Sequence, residues 1–184
     1  GSSLSRESQL NLFFNCGPEI GVAATKSFTS QLAVIYVLIF SLVDDSVIGE
    51  NCYVGPYGRI RPNVLIGNYV QIGNFVEIKN SNIGSKSRIN HHAFVGDADL
   101  ADQVTIGAGT ITCNHDGVRI NRTTIGRGAY VGSGCNLVAP LMVNANATIP
   151  SGSTITKEVA ADTLTIARSR QVKVENWKGP KSRE

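Results

Sequence analysis

The chain has 184 residues, of which 17% are charged and 7% aromatic, and a formal net charge of +3. That length suits one domain, or one domain with an appendage, around a sizeable core. The charge is too small and too dispersed for a nucleic-acid surface, because no basic run carries interleaved aromatics.

In chain order, the first 43 residues differ in character from the rest. The stretch Leu32–Val43 is a continuous apolar run that follows residues 25–31, which read as a helix start. A membrane span needs about 20 apolar residues, and no basic n-region of a signal peptide precedes this run. The expected reading is a buried helix of a globular domain, with a membrane-associated segment as the alternative. The chain opens at Gly1 rather than Met, so a fragment, a processed chain or an incomplete gene product is expected.

From residue 44 to 159 a period of six takes over. Ile48, Val54, Ile60, Ile66, Ile72 and Ile78 form one series, and Ile125, Val131, Leu137, Val143, Ile149 and Ile155 form a second. A helix repeats near 3.6 and a simple strand at 2; a hexad is the signature of a parallel β-helix. Small or β-branched residues four positions later (Cys52, Gly58, Val64, Val70, Val76, then Ala129, Cys135, Leu141, Ala147, Ser153) are expected to point inward as well. The register slips between Ile78 and Ile83 and between Val95 and Leu100, and it breaks over residues 114–124 before resuming at Ile125. Insertions in a solenoid become loops on one side and often carry function. Residues 160–184 leave the hexad pattern and read as a C-terminal arm. The four cysteines (Cys16, Cys52, Cys113, Cys135) lack CxxC spacing. Two of them stand at expected core positions, which suits a reducing cytoplasm.

Several stretches within the hexads are specific. They are Gly55–Pro62 (GPYGRIRP), Gly73–Lys79 (GNFVEIK), Gly96–Asp97, Ile106–Gly117 (IGAGTITCNHDG), Val131–Ser133, Leu137–Pro140, Ile166–Arg168 and Trp177. On these motifs the chain from about residue 45 resembles the C-terminal acetyltransferase domain of bifunctional N-acetylglucosamine-1-phosphate uridyltransferase/glucosamine-1-phosphate acetyltransferase. The resemblance implies an all-β fold, a left-handed parallel β-helix of hexapeptide repeats, with a short N-terminal helical segment and a C-terminal arm. It implies a cytoplasmic homotrimer with sites at subunit boundaries. The implied reaction moves acetyl from acetyl-CoA to the amine of glucosamine 1-phosphate, on the route to UDP-N-acetylglucosamine, peptidoglycan and lipopolysaccharide, with no metal required. Residues 1–43, with GSSLSRES and NCGPEIGVAATKSFTSQLAV, resemble instead the sugar-isomerase domain of glutamine–fructose-6-phosphate aminotransferase. Most of that domain is missing, as is the uridyltransferase domain of the other family, so neither activity is expected. The apolar run Leu32–Val43 is expected to cap the open end of the solenoid.

Acetyl transfer must deprotonate an ammonium, bring the amine to a thioester, stabilise an oxyanion and release a thiolate. Imidazole suits the first task near neutral pH, and His91 matches the family's catalytic histidine. Its neighbour His92 is expected to face the other way. Glu77, one coil earlier, either orients His91 or is a solvated strand residue. Arg61 and Lys79 match sugar-phosphate ligands, a guanidinium and an ammonium for a dianion. Asn114 matches a position that touches substrate and coenzyme. The backbone N–H of Ala108 would meet the oxyanion. Ser133 would donate a proton to the leaving sulfur, and Arg168, with Lys173 nearby, would hold coenzyme phosphates. Four positions depart from the family pattern. Phe94 replaces a Tyr and Thr105 an Asn in the sugar site; His115 replaces a Tyr and Ser151 an Ala near the coenzyme. His115 is thereby a second possible base. The competing expectation is a non-catalytic fusion relic or trimeric scaffold. A zinc lyase would need three converging histidines, and the chain has only His91, His92 and His115.

Overall fold

The computed structural model describes residues 46–177, so the expected N-terminal helical segment, with its apolar run Leu32–Val43, lies outside the described residues. The described chain is built from short strands and contains no helix. The first six strands are β1 (Val47–Ile48), β2 (Tyr53–Val54), β3 (Arg59–Ile60), β4 (Leu65–Ile66), β5 (Gln71–Asn74) and β6 (Glu77–Lys79). The next six are β7 (Asn82–Ile83), β8 (Arg88–His91), β9 (Phe94–Gly96), β10 (Ala98–Leu100), β11 (Thr105–Ile106) and β12 (Ile111–Cys113). The last six are β13 (Thr123–Ile125), β14 (Tyr130–Val131), β15 (Asn136–Val138), β16 (Leu141–Val143), β17 (Thr148–Ile149) and β18 (Thr154–Ile155).

Every third strand joins the same sheet. The first sheet runs β1-β4-β7-β10-β13-β16, the second β2-β5-β8-β11-β14-β17 and the third β3-β6-β9-β12-β15-β18, all by parallel pairing. Three faces and a hexad per face make a left-handed parallel β-helix. Each hexad contributes one inward residue, aliphatic except for Thr112 on β12, and these stack into ladders along the axis. Ile60, Ile72, Ile78, Ile89, Ile125, Leu137 and Ile149 are almost wholly buried. Burying one such side chain stabilises by about 1.5–3 kcal/mol. The positions four residues later fill the corners of the core: Val64, Val70, Val76, Ala129, Cys135, Ala147 and Ser153 are buried too.

The expected slips cost one residue each without breaking a ladder. Ile66 pairs with Ile83, and Ile83 with Leu100. Beyond Leu100 the partner is Ile125, so the irregular residues 114–122 bulge from the coil while the sheet stays continuous. At the far end the ladders run past the last hexad. Val159 bridges Val143, Leu164 bridges Thr148, and Thr154 N donates to Ala167 O at 2.9 Å. The first part of the expected arm therefore continues the winding before the chain reaches the exposed Trp177. Among the described residues no helix is long and apolar enough to cross a membrane.

Candidate active site

The corner between the second and third sheets carries one group of the expected site residues. His91 ends β8 and pairs with Asn74 at the end of β5. Ile106 pairs with Ile89 on one side and Val131 on the other, and Val131 pairs with Ile149. Two residues beyond each of these, the chain turns the corner. His91, Ala108, Ser133 and Ser151 therefore occupy equivalent places in successive coils.

Backbone bonds lock this column. Gly109 N donates to His92 O at 2.7 Å, Gly134 N to Ala108 O at 2.7 Å and Gly152 N to Ser133 O at 2.8 Å. The Ser133 N–H donates to Ser151 Oγ at 3.1 Å, and Arg168 Nη1 donates to Ser151 O at 2.8 Å, adding a fifth residue at the end of the column. The Ala108 N–H has no hydrogen-bond partner among the described residues, so it is available as a donor. Beyond Ser151, a cavity of about 560 Å³ is lined by Ile166, Arg168, Ser169, Arg170 and Gln171. Lys173 pairs instead with Glu175 at 3.3 Å on the exposed arm.

The outer surface of the third sheet holds a second group. Glu77, Phe94 and Ile111 share one row across β6, β9 and β12. Lys79 pairs with Gly96, and Arg61 follows β3 on the preceding coil. Arg61 Nη1 donates to Glu77 Oε1 at 2.9 Å. Among the described residues no hydrogen bond joins Glu77 to His91. Gly96 lets both neighbours pack closely. A Cβ there would lie 2.5 Å from Phe94 Cζ and 3.1 Å from Asn114 Nδ2, so any larger residue would make the ring and the amide shift away from the sheet.

His92 lies beside this group. Strand alternation stops at His91, where β8 ends, and His92 turns the corner with φ 38°. Both histidines are exposed. His92 lines a cavity of about 220 Å³ together with Phe75, Glu77, Phe94, Gly109 and Ile111. The same corner place holds Tyr57 and Phe75 in the two preceding coils, at φ 62° and 57°, and their rings stack with centroids 5.2 Å apart. Thr105 is not brought to this group. It stands on β11 in the second sheet, between Arg88 and Tyr130, on a different face of the solenoid from Phe94.

The insertion folds into a small hairpin. Asn121 N donates to Asn114 O at 2.7 Å, and His115 and Ile120 form an antiparallel bridge. At its tip Asp116 Oδ1 accepts the N–H groups of Arg119 and Val118, which hold its carboxyl below the ordinary value. His115 Nδ1 accepts from Gly117 N at 3.2 Å. Asn114 Nδ2 donates to the buried carboxylate of Asp97. Arg122 closes the insertion with a forked contact to Asp99, at 2.8 and 2.6 Å. That guanidinium, more than any other group, holds the Asp99 carboxyl below its ordinary value. Neither Asp97 nor Arg122 stands out as a site residue in the sequence. The one signal for Asp97 was its place in a family motif. Among the described residues no group of three His, Cys, Asp or Glu is arranged to hold a metal ion.

Comparison with known proteins places this geometry. A family model described as the GMPPB C-terminal domain matches residues 42–121. The bifunctional protein GlmU of Aromatoleum aromaticum is 48% identical over 141 residues, covering 77% of this chain and 31% of the relative. That of Methylococcus capsulatus is 49% identical over 146 residues, covering 79% of this chain and 32% of the relative. The solenoid is similar in sequence to part of GlmU. The similarity is to the C-terminal acetyltransferase region of GlmU, and the chain spans about a third of the length of the curated GlmU relatives it matches. Among solved structures, PerB from Caulobacter crescentus, in complex with CoA and GDP-perosamine, superimposes with a TM-score of 0.51 at 21% identity. The match covers 78% of this chain and 62% of PerB, and it shows the shared fold.

Proposed function

We propose that this GlmU-like solenoid is an acetyltransferase that moves acetyl from acetyl-CoA to the amine of glucosamine 1-phosphate, giving N-acetylglucosamine 1-phosphate. The observation that carries the reading is the corner column: His91, Ala108, Ser133, Ser151 and Arg168 stand in successive coils along one edge. Their order is the order the chemistry needs. His91 accepts the proton of the attacking amine. The unpartnered Ala108 N–H donates to the carbonyl oxygen as it gains charge. Ser133 donates toward the departing sulfur, and Arg168 meets coenzyme phosphates. Arg61 and Lys79, one coil apart on the adjoining sheet, hold the sugar phosphate. Fixed spacing between these groups supplies orientation without further rearrangement.

Thr105 supports a homotrimer. It faces away from Phe94, Arg61 and Lys79 within one chain, so it joins the sugar site only if a second copy brings its second sheet against the corner of the first. Closed threefold symmetry does this with one repeated interface.

The test is thiol release on mixing the chain with acetyl-CoA and glucosamine 1-phosphate, wild type beside His91→Ala. Release by the wild type and its loss in the variant is the expected result. Release that survives the substitution moves the base elsewhere, His92 and His115 being the candidates. A folded trimer that releases no thiol favours the alternative of a non-catalytic scaffold.

A further inference from the structure

Asp97 is the only buried carboxylate among the described residues, with 3% of its surface exposed. It sits at the corner between β9 and β10 with φ 51°, a conformation that Asp tolerates better than most residues. Its backbone belongs to the ladder: its N–H donates to Lys79 O at 3.0 Å and its C=O accepts from Thr123 N at 3.1 Å. Its side chain does something else. One carboxylate oxygen accepts from Asn80 Nδ2 on the preceding coil, and the other accepts from Asn114 Nδ2 on the following one.

Asn114 is the first residue of the insertion, and the last is pinned to the same coil. Arg122 forks onto Asp99 and reaches Ala98 O at 3.4 Å and Asn80 O at 3.3 Å. The hairpin between them makes its remaining bonds to itself. Asn114 is therefore held from beneath by a single group, and that group has a fixed polarity. Both Asp97 oxygens accept from amide NH2 groups, so the Asn114 amide turns its NH2 inward to Asp97 and its carbonyl oxygen, which has no partner among the described residues, outward to accept from a ligand.

We propose that Asp97 is a positioning residue that fixes Asn114 as a hydrogen-bond acceptor, so that the ligand group Asn114 meets is an N–H donor: the sugar ammonium or an amide of the coenzyme arm. This rests on the acetyltransferase reading above. Phe94 and Gly96 place the Asn114 amide beside the proposed sugar site, since a Cβ on Gly96 would touch both residues.

The experiment compares Asp97→Asn, Asn114→Ala, Asn114→Asp and two double variants, by steady-state kinetics and by amide hydrogen exchange over residues 114–122. In Asp97→Asn the side chain has one acceptor and one donor, so it can no longer accept from both neighbouring amides. Losing a charge-assisted bond of this kind lowers kcat/KM about tenfold, and exchange over the hairpin quickens. Asn114→Ala combined with Asp97→Asn is no worse than Asn114→Ala alone, because Asp97 acts through Asn114. Asn114→Asp sets two carboxylates face to face and is poorer still. Combining it with Asp97→Asn restores an amide–carboxylate bond of reversed polarity and recovers both exchange protection and part of the activity. Multiplying effects in the first double variant, or no recovery in the second, overturns the proposal. A wild type that releases no thiol sinks the acetyltransferase reading and the ligand assignment with it; hairpin exchange in Asp97→Asn then reads the Asp97–Asn114 support alone, unchanged exchange overturning it and faster exchange upholding it.

Discussion

Glu77 Oε1 and Arg61 Nη1 meet at 2.9 Å across two adjacent coils, each side chain a little over one-third exposed. The carboxylate is thereby engaged with a guanidinium proposed to bind the sugar phosphate. Substrate phosphate and Glu77 compete for the same cation. Glu77→Gln removes the competing charge while keeping the shape. An exposed pair of this kind is worth about 0–1 kcal/mol. The KM for glucosamine 1-phosphate is therefore expected to fall, by up to about fivefold, with kcat little changed. Steady-state kinetics decides the matter: a large drop in kcat at unchanged KM would mean that Glu77 works on His91 instead.

Asp99 and Arg122 make a pH-dependent contribution to stability. The carboxyl of Asp99 titrates below its ordinary value of 3.8, chiefly through the hydrogen bond from Arg122 and with help from Asn82. A depressed carboxyl stabilises the fold fully above the ordinary value, and that stability is lost as pH falls through the lowered one. The pair is partly exposed, so solvent limits its worth to about 1 kcal/mol or less. Urea unfolding of Asp99→Asn beside wild type should show a deficit at pH 7 that shrinks below about pH 4. A deficit equal at both pH values would mean that packing, not charge, is lost.

Gly73 lies directly over the backbone that leads into His91. A Cβ at this position would fall 1.7 Å from Asn90 O and 2.5 Å from Asn90 C. Backbone cannot swing aside as a side chain can. Gly73→Ala is expected to destabilise by about 2–4 kcal/mol and to lower thiol release further by displacing His91. Thermal melting and kinetics on the same sample read both effects; a variant with wild-type melting would show that the coils separate more easily than their hydrogen bonds suggest.

Thr123 runs in the opposite direction. Its Oγ1 is buried and has no hydrogen-bond partner among the described residues, at a place where Ala98 and Leu141 flank it across the first sheet. A buried unsatisfied hydroxyl costs about 1–3 kcal/mol. Thr123→Val keeps the β-branched shape and removes the cost, so the midpoint of melting should rise by about 2–4 °C for each kcal/mol recovered. A lower midpoint would show that the hydroxyl has a partner in solution, most simply a water molecule.

The core was legible from the sequence because a solenoid writes each inward residue at a fixed interval. Ile48 through Ile78 and Ile125 through Ile155 all lie in strands, and even the two shortened hexads announce themselves as a missing residue before Ile83 and Leu100. The corner column was less legible. His91, Ala108 and Ser133 are separated by unequal lengths of chain, because the insertion intervenes, and only the strand register shows that they are neighbours. The place of His92 beside Glu77 and Phe94 was not legible, because it stands one residue past the end of β8, in a turn where strand alternation no longer holds. The Asp97–Asn114 contact left no periodic trace. It depends on where an irregular hairpin leaves the coil, which spacing alone does not encode.

The backbone bonds along the corner have a consequence for how such a site can change. Successive coils are separated by one strand spacing, about 4.8 Å, so the distance between two groups on the corner comes in whole steps. Inserting a complete turn between Ala108 and Ser133 would move the sulfur-side group one step farther from the base and leave it pointing the same way. Inserting a single hexad would instead rotate everything beyond it by a third of a revolution and take Ser133 off the edge. Turn number thus acts as a coarse dial for reach, and the identity of each corner residue as the fine one.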